Sequence, residues 1–191
     1  MVRRSRLAVA CSLLLAGLLS GPASAESSVA SDPKGDIAAT APNYLDIVHT
    51  KATEQIGRGT FYFQTVTGDS VPTTPAGFAA WNWLIDVPGG LPIDYALTVR
   101  FCSQTVQRTC GPGPWHWESS STRMATGVST LNSFAFSVDG ATVKGFIDPS
   151  LFGDPASFRW IAATRNAPVT TGLPSVDLAP DDFANALLFE R

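Results

Sequence analysis

Short runs of alternating side chains, each closed by glycine or proline, constrain what this chain can fold into more than any other feature. Over residues 95–102, Tyr95, Leu97, Val99 and Phe101 point one way, and Ala96, Thr98, Arg100 and Cys102 point the other. A period of two marks an extended strand with one face on a core. The pattern recurs at 59–66, where aromatic and β-branched residues run towards Gly68, and at 79–87, where Ala79, Trp81, Trp83, Ile85 and Val87 share a face. Phe134, Phe136 and Val138 alternate ahead of Asp139-Gly140, and a return strand follows at 143–147. An Asp-Gly pair between two such runs signals a hairpin, because both residues tolerate positive φ. Residues 158–163 make a further strand, and helix is confined to single turns at 149–152 and 181–186. Many short strands with Gly/Pro turns predict an all-β chain: a single antiparallel β-sandwich with jelly-roll-like crossings.

The start of the chain addresses the compartment. Arg3, Arg4 and Arg6 precede an apolar run at 7–19, and Ala23-Ser24-Ala25 then leads into Glu26. A basic start, a short apolar stretch and a small-residue site read as an export signal removed after residue 25. The run is shorter than the roughly 20 apolar residues of a membrane span. The expectation is therefore a secreted, extracellular or envelope-located protein with no membrane span, a flexible lead-in at 26–40 and one β-sandwich domain at 41–191. Losing three arginines takes the basic count from 13 to 10 against 16 acids, so the formal net charge moves from −3 to −6. An acidic chain without a basic stripe argues against nucleic acid as a partner. Cys11 leaves with the signal. Cys102 and Cys110, eight positions apart, then form one short-loop disulfide, worth about 2–3 kcal/mol by loop-closure entropy.

Three stretches carry a family resemblance. Asp32-Pro33-Lys34-Gly35-Asp36 followed by Leu45-Asp46-Ile47-Val48, the run from Val143 through Asp148-Pro149 to Gly153, and Val176-Asp177-Leu178-Ala179-Pro180-Asp181 are present. Together they resemble extracellular domains related to family 9 carbohydrate-binding modules and DOMON domains, over about residues 30–185. The resemblance implies a secreted β-sandwich whose relatives bind sugars, or haem in some branches, and often carry calcium. The two ring-sandwiching tryptophans of the sugar binders have no residue-by-residue counterpart here, which leaves the ligand open.

Sugar recognition needs flat apolar faces with polar groups at the ring edge. Trp81 and Trp83 share their face with Ile85 and Val87, and Trp160 lies between Phe158 and Ala162, so these three are expected in the core. Trp115 and Trp117 follow Cys110-Gly111-Pro112-Gly113-Pro114 and alternate with His116 and Glu118. These four are the candidate ligand-binding residues, against the alternative that the indoles pack beneath the loop. The resemblance implies a calcium site from Asp32, Asp36, Asp177 and Asp181 if the ends of the domain meet; the alternative is that these aspartates cap turns. Met124, His49 and His116 supply the residue types of haem ligands, without a spacing that makes a pocket. No Gly-x-Ser-x-Gly, His-Glu-x-x-His or phosphate-binding glycine loop occurs, and Glu118 beside Trp115 and Trp117 is the candidate acid of a small secreted hydrolase, against an exposed strand glutamate. The reading that results is a non-catalytic binding module for polysaccharide. Its alternative is a cell-surface structural or protein-interaction domain, distinguished by whether Trp115 and Trp117 stand exposed beside polar partners.

Overall fold

The structure is a computed structural model that describes residues 26–55, 58–88, 93–167 and 176–191. Residues 1–25, expected to be an export signal, lie outside the described residues. Among the described residues twelve strands form two antiparallel sheets, with β1 (Ser27–Ser31), β2 (Ile47–Gln55), β3 (Thr60–Thr67), β8 (Ala135–Asp139) and β9 (Thr142–Ile147) in the first. Their order across that sheet is β1-β2-β3-β9-β8. The second sheet runs β11 (Asp177–Ala179), β10 (Ser157–Arg165), β4 (Ala79–Asp86), β5 (Tyr95–Cys102), β6 (His116–Arg123), β7 (Val128–Leu131). β12 (Leu187–Glu190) shares one edge of β10 with β11. The chain crosses between sheets after β3, after β7 and after β9, as a sandwich with non-sequential strand order requires. Among the described residues, no helix is long and apolar enough to cross a membrane.

The alternation seen in the sequence becomes the burial pattern. Phe61, Phe63, Thr65 and Thr67 of β3 are buried, whereas Tyr62, Gln64 and Val66 between them are partly exposed. The space between the sheets is filled largely by aromatic rings. Phe61 lies 5.1–6.2 Å from Phe63, Phe152, Phe158 and Phe189, and Trp83 stacks at a tilt on Phe63 5.6 Å away. Trp81, Trp83 and Trp160 are all within 1 % of complete burial, as core tryptophans. Trp83 donates its indole N–H to Thr65 Oγ1 at 3.2 Å, and Trp160 donates to Ser28 Oγ at 2.6 Å, so two of the three hide no unpaired donor.

Three details depart from the sequence reading. Residues 26–40, expected as a lead-in outside the sandwich, supply β1, which pairs with β2 from Ser27↔Thr53 to Ser31↔His49. Its small polar composition hid a strand whose inward positions, Ser28 and Ala30, need only small side chains. In the β8–β9 hairpin Asp139 pairs with Thr142, so the two turn residues are Gly140 and Ala141, with Gly140 at φ 54°. The turn thus starts one residue later than an Asp-Gly turn. The outward face of β4 and β5 is also buried, because the disulfide-closed loop folds back over it: Phe78, Ala80, Cys102 and Cys110 make a small second cluster there.

Gly145 shows how tightly the sheets are packed. It takes the inward position of β9 opposite Phe63, and a Cβ there would lie 2.7 Å from the ring of Trp83. Gly145→Ala is expected to destabilise the fold by about 1–3 kcal/mol through overpacking, measured as a lower denaturant midpoint at unchanged slope; an unchanged midpoint would show that the sheets have slack.

Candidate functional site

Segments remote in sequence deliver five carboxylates to one end of the sandwich. Asp32 follows β1, Asp36 follows the turn at Gly35, Asp46 follows the 3-10 turn Asn43–Leu45, Asp177 opens β11 and Asp181 follows it. Ligand oxygens of Asp32, Asp36 and Asp181 lie within 4.8 Å of one another, and so do those of Asp36, Asp46 and Asp177. Asp36 belongs to both triads and joins them. The structure therefore brings Asp32, Asp36, Asp177 and Asp181 together, because the end of β1 and the start of β11 both meet the start of β2, at Val48 and Ile47. Asp46, not chosen from the sequence, joins Asp36 and Asp177 in the second triad.

Local geometry explains how such a cluster is held. A β-bulge between Ile47 and His49 turns the strand at its start, and the amide of Ile47 donates to Asp177 Oδ2. Leu178 N–H donates to the other oxygen at 2.8 Å. Gly35 N–H donates to Asp46 Oδ2 at 2.9 Å, while Gly68 N–H donates to the Asp46 carbonyl at 2.7 Å. Gly68 must be glycine, since a Cβ there would sit 2.5 Å from Asp46 Oδ2. These bonds fix the carboxylates but do not saturate them. Asp46 is fully buried with Oδ1 unpaired, and Asp32, 9 % exposed, has Oδ2 unpaired.

A buried anion without a partner is costly. Among the described residues no lysine or arginine forms an ion pair with any of the five; Lys34, nearest in sequence, reaches Gly68 O and Asp69 instead. Two of the five, Asp32 and Asp177, have raised pKa values. Burial, then the charges of Asp177, Asp181, Asp36 and Asp46, push Asp32 up to about 7. Burial pushes Asp177 up to about 6, helped by the charges of Asp36 and Asp46 and opposed by the amides of Ile47 and Leu178. Two overlapping triads of carboxylates, with an unpaired oxygen on Asp32 and on Asp46, could hold a hard cation, and such a carboxylate-rich set suits calcium better than magnesium, which keeps much of its water.

The second candidate site divides. Trp115 is 40 % exposed and lies flat on Phe101, 5.5 Å away at 13°. Trp117 is half-buried: it stacks on Trp81 at 5.7 Å and donates its N–H to Thr73 O at 2.8 Å. Glu118 is neither an exposed strand glutamate nor a group at a ligand's edge. It is 1 % exposed, and its Oε1 accepts from Arg100 Nε at 2.7 Å and Nη2 at 2.6 Å. Its Oε2 accepts from Gly111 N–H at 2.8 Å and faces His116 Nε2 at 3.0 Å. The other ring nitrogen, Nδ1, lies 2.6 Å from Pro114 O. With a carbonyl on one side and a carboxylate on the other, the His116 ring is best satisfied as the doubly protonated cation, and those two contacts raise its pKa. Arg100 also donates to Thr109 O at 2.8 Å. The Arg100–Glu118–His116 group thus pins the Cys102–Cys110 loop from below, which leaves Trp115 as the surface member of the expected quartet. The same contacts occupy both oxygens of Glu118 and screen them from solvent. His49, on β2, and Met124, beyond β6, lie on different sheets.

No family model, curated protein or solved structure matches the chain.

Two outcomes follow from the cluster. Calcium at roughly a hundredfold above its dissociation constant adds about 2.7 kcal/mol of stability, a rise of roughly 5–10 °C in thermal midpoint for a domain of this size. Asp46→Asn is expected to raise the cation-free midpoint, by removing a buried charge, and to abolish the calcium response; a response that survives places the ion elsewhere. In chelator, the fold holds protons on Asp32 and Asp177 that the unfolded chain releases near pH 4, so its stability falls as pH rises from about 4 towards 7. His116, also raised in the fold, contributes below about pH 6.5 and loses its contribution above it, in the same direction. Denaturant titrations in chelator should give a lower stability at about pH 7.5 than at about pH 5.5, with the gap reduced in Asp32→Asn; a profile that is flat or rises would contradict the raised carboxyls.

Proposed function

We propose that this chain is an exported, non-catalytic binding module: a β-sandwich whose two ends are clamped by a calcium ion and whose ligand is extracellular carbohydrate. The observation that carries the calcium assignment is the fully buried Asp46 carboxylate, with one oxygen unpaired among four other aspartates. A cation there neutralises the cluster and ties the start of the domain to its end. The resemblance to family 9 carbohydrate-binding modules and DOMON domains supports the same reading, since Asp32, Asp36, Asp177 and Asp181 belong to its motifs.

Support for carbohydrate rests on Trp115. An indole held flat on Phe101, in the proline-bearing segment between the disulfide-closed loop and β6, offers an apolar face at little entropic cost. Glu118 is buried, and the half-buried Trp117 is held on Trp81 with its N–H on Thr73 O, so Trp115 is the ring that stands free and the surface fits a single sugar unit. The competing reading, a protein-interaction domain, draws on the same burial of Trp117 and on the edge strand β7, where Val128 is 62 % exposed.

The test is depletion of the exported domain, from Glu26 onward, by a panel of insoluble neutral polysaccharides in calcium. Retention by one of them, lowered about tenfold in Trp115→Ala with an unchanged thermal midpoint, is the expected result. No retention on any polysaccharide would overturn the carbohydrate ligand and direct the search to protein partners.

A further inference from the structure

The outward face of the first sheet carries an arrangement that neither the cation cluster nor the Trp115 loop uses. Strand register sorts its centre into two rows that run across the strands. In one row Thr53, Tyr62 and Phe146 are cross-strand neighbours, and the two rings lie 5.5 Å apart. In the next row Lys51, Gln64 and Lys144 are neighbours in the same way. Residues two apart on a strand are about 7 Å apart and adjacent strands about 4.8 Å, so an aromatic row runs beside a cationic one at close range. Lys144 Nζ lies 6.0 Å from the Tyr62 ring, and Tyr62 donates its hydroxyl to Gln64 Oε1 at 2.9 Å, which links the two rows. Tyr62, Gln64, Lys144 and Phe146 are all partly exposed, and none of them belongs to the packing between the sheets.

The charge on this face opposes that of the chain. The chain has 16 acids against 13 basic residues, yet the strand positions facing outward here include two lysines and, as their one acid, Asp139 at the hairpin end. We infer that this face is a second binding surface, and that it takes an anionic polysaccharide built of uronic acid units, laid across the strands. The aromatic row receives the C–H faces of the sugar rings, and the lysines receive the carboxylates, with Gln64 between them for hydroxyls. Neutral glycans leave both lysines unanswered, and a protein partner finds neither an apolar patch nor a free strand edge at the sheet centre. The inference rests on the carbohydrate reading above and adds to it the charge class of the ligand and a second surface.

Affinity electrophoresis in gels containing hyaluronate tests it, with polyglutamate as an anion without sugar rings and hydroxyethylcellulose as a neutral glycan. Hyaluronate is expected to retard the wild-type domain. The double substitution Lys51→Glu/Lys144→Glu should weaken retardation by tenfold or more, roughly what two lost charge contacts amount to. Tyr62→Leu/Phe146→Leu, which keeps apolar volume and removes the rings, should weaken it with an unchanged thermal midpoint. Equal retardation by polyglutamate would overturn the inference, since charge alone would then suffice. So would retardation by hyaluronate that the lysine or ring substitutions leave unchanged. Binding confined to neutral glycans through Trp115 would overturn this surface and leave the proposed function standing, whereas no binding to any glycan would remove both.

Discussion

Negative charge crowded into an interior is the constraint from which the organisation of this molecule follows. Asp46 is fully buried, Asp32 and Asp177 nearly so, and Asp36 and Asp181 close the group from the solvent side. Such a group costs free energy unless protons or a cation neutralise it. Protons do so only while the pH is low, as the raised pKa values of Asp32 and Asp177 show. A divalent cation, as we propose, would do so at any pH where the carboxylates ionise, and would tie together segments more than 140 positions apart in sequence. The elements that meet there, the end of β1, the bulge of β2, the loop at Gly68 and the start of β11, are those that close the sandwich at that end.

The other polar centre solves the opposite problem without an ion. Glu118 is as buried as Asp46, yet Arg100, Gly111 and His116 provide every donor its two oxygens need. A satisfied carboxylate of this kind specifies a loop conformation; an unsatisfied one points to something missing. The contrast between the two acids, similar in burial and different in partners, is what our proposal of a cation at Asp46 rests on.

Much of the architecture was legible because strand periodicity is a local property. Trp81, Trp83 and Trp160 could be placed inside from their neighbours alone, and the disulfide from the count of cysteines. β1 was not legible, since Ser28 and Ala30 face inward with side chains too small to register as a hydrophobic pattern. Glu118 misled for a related reason: alternation says which side of a strand a residue takes, and here the far side of the sheet is covered by the loop that Cys102 and Cys110 close. Arg100, midway along an apolar strand on the same side as Glu118, was the sequence signal for that buried pair. Asp46 was visible as an acid within the apolar run Leu45-Asp46-Ile47, but its partners arrive only through tertiary folding.

Calorimetric titration of the chelator-treated domain with calcium, in two buffers of different protonation enthalpy near pH 6.5, tests the central claim most directly. The expected result is one ion bound per chain with release of protons, because Asp32 and Asp177 are partly protonated at that pH without the ion. Absence of binding, or binding without proton release, would contradict a cation seated among these carboxylates.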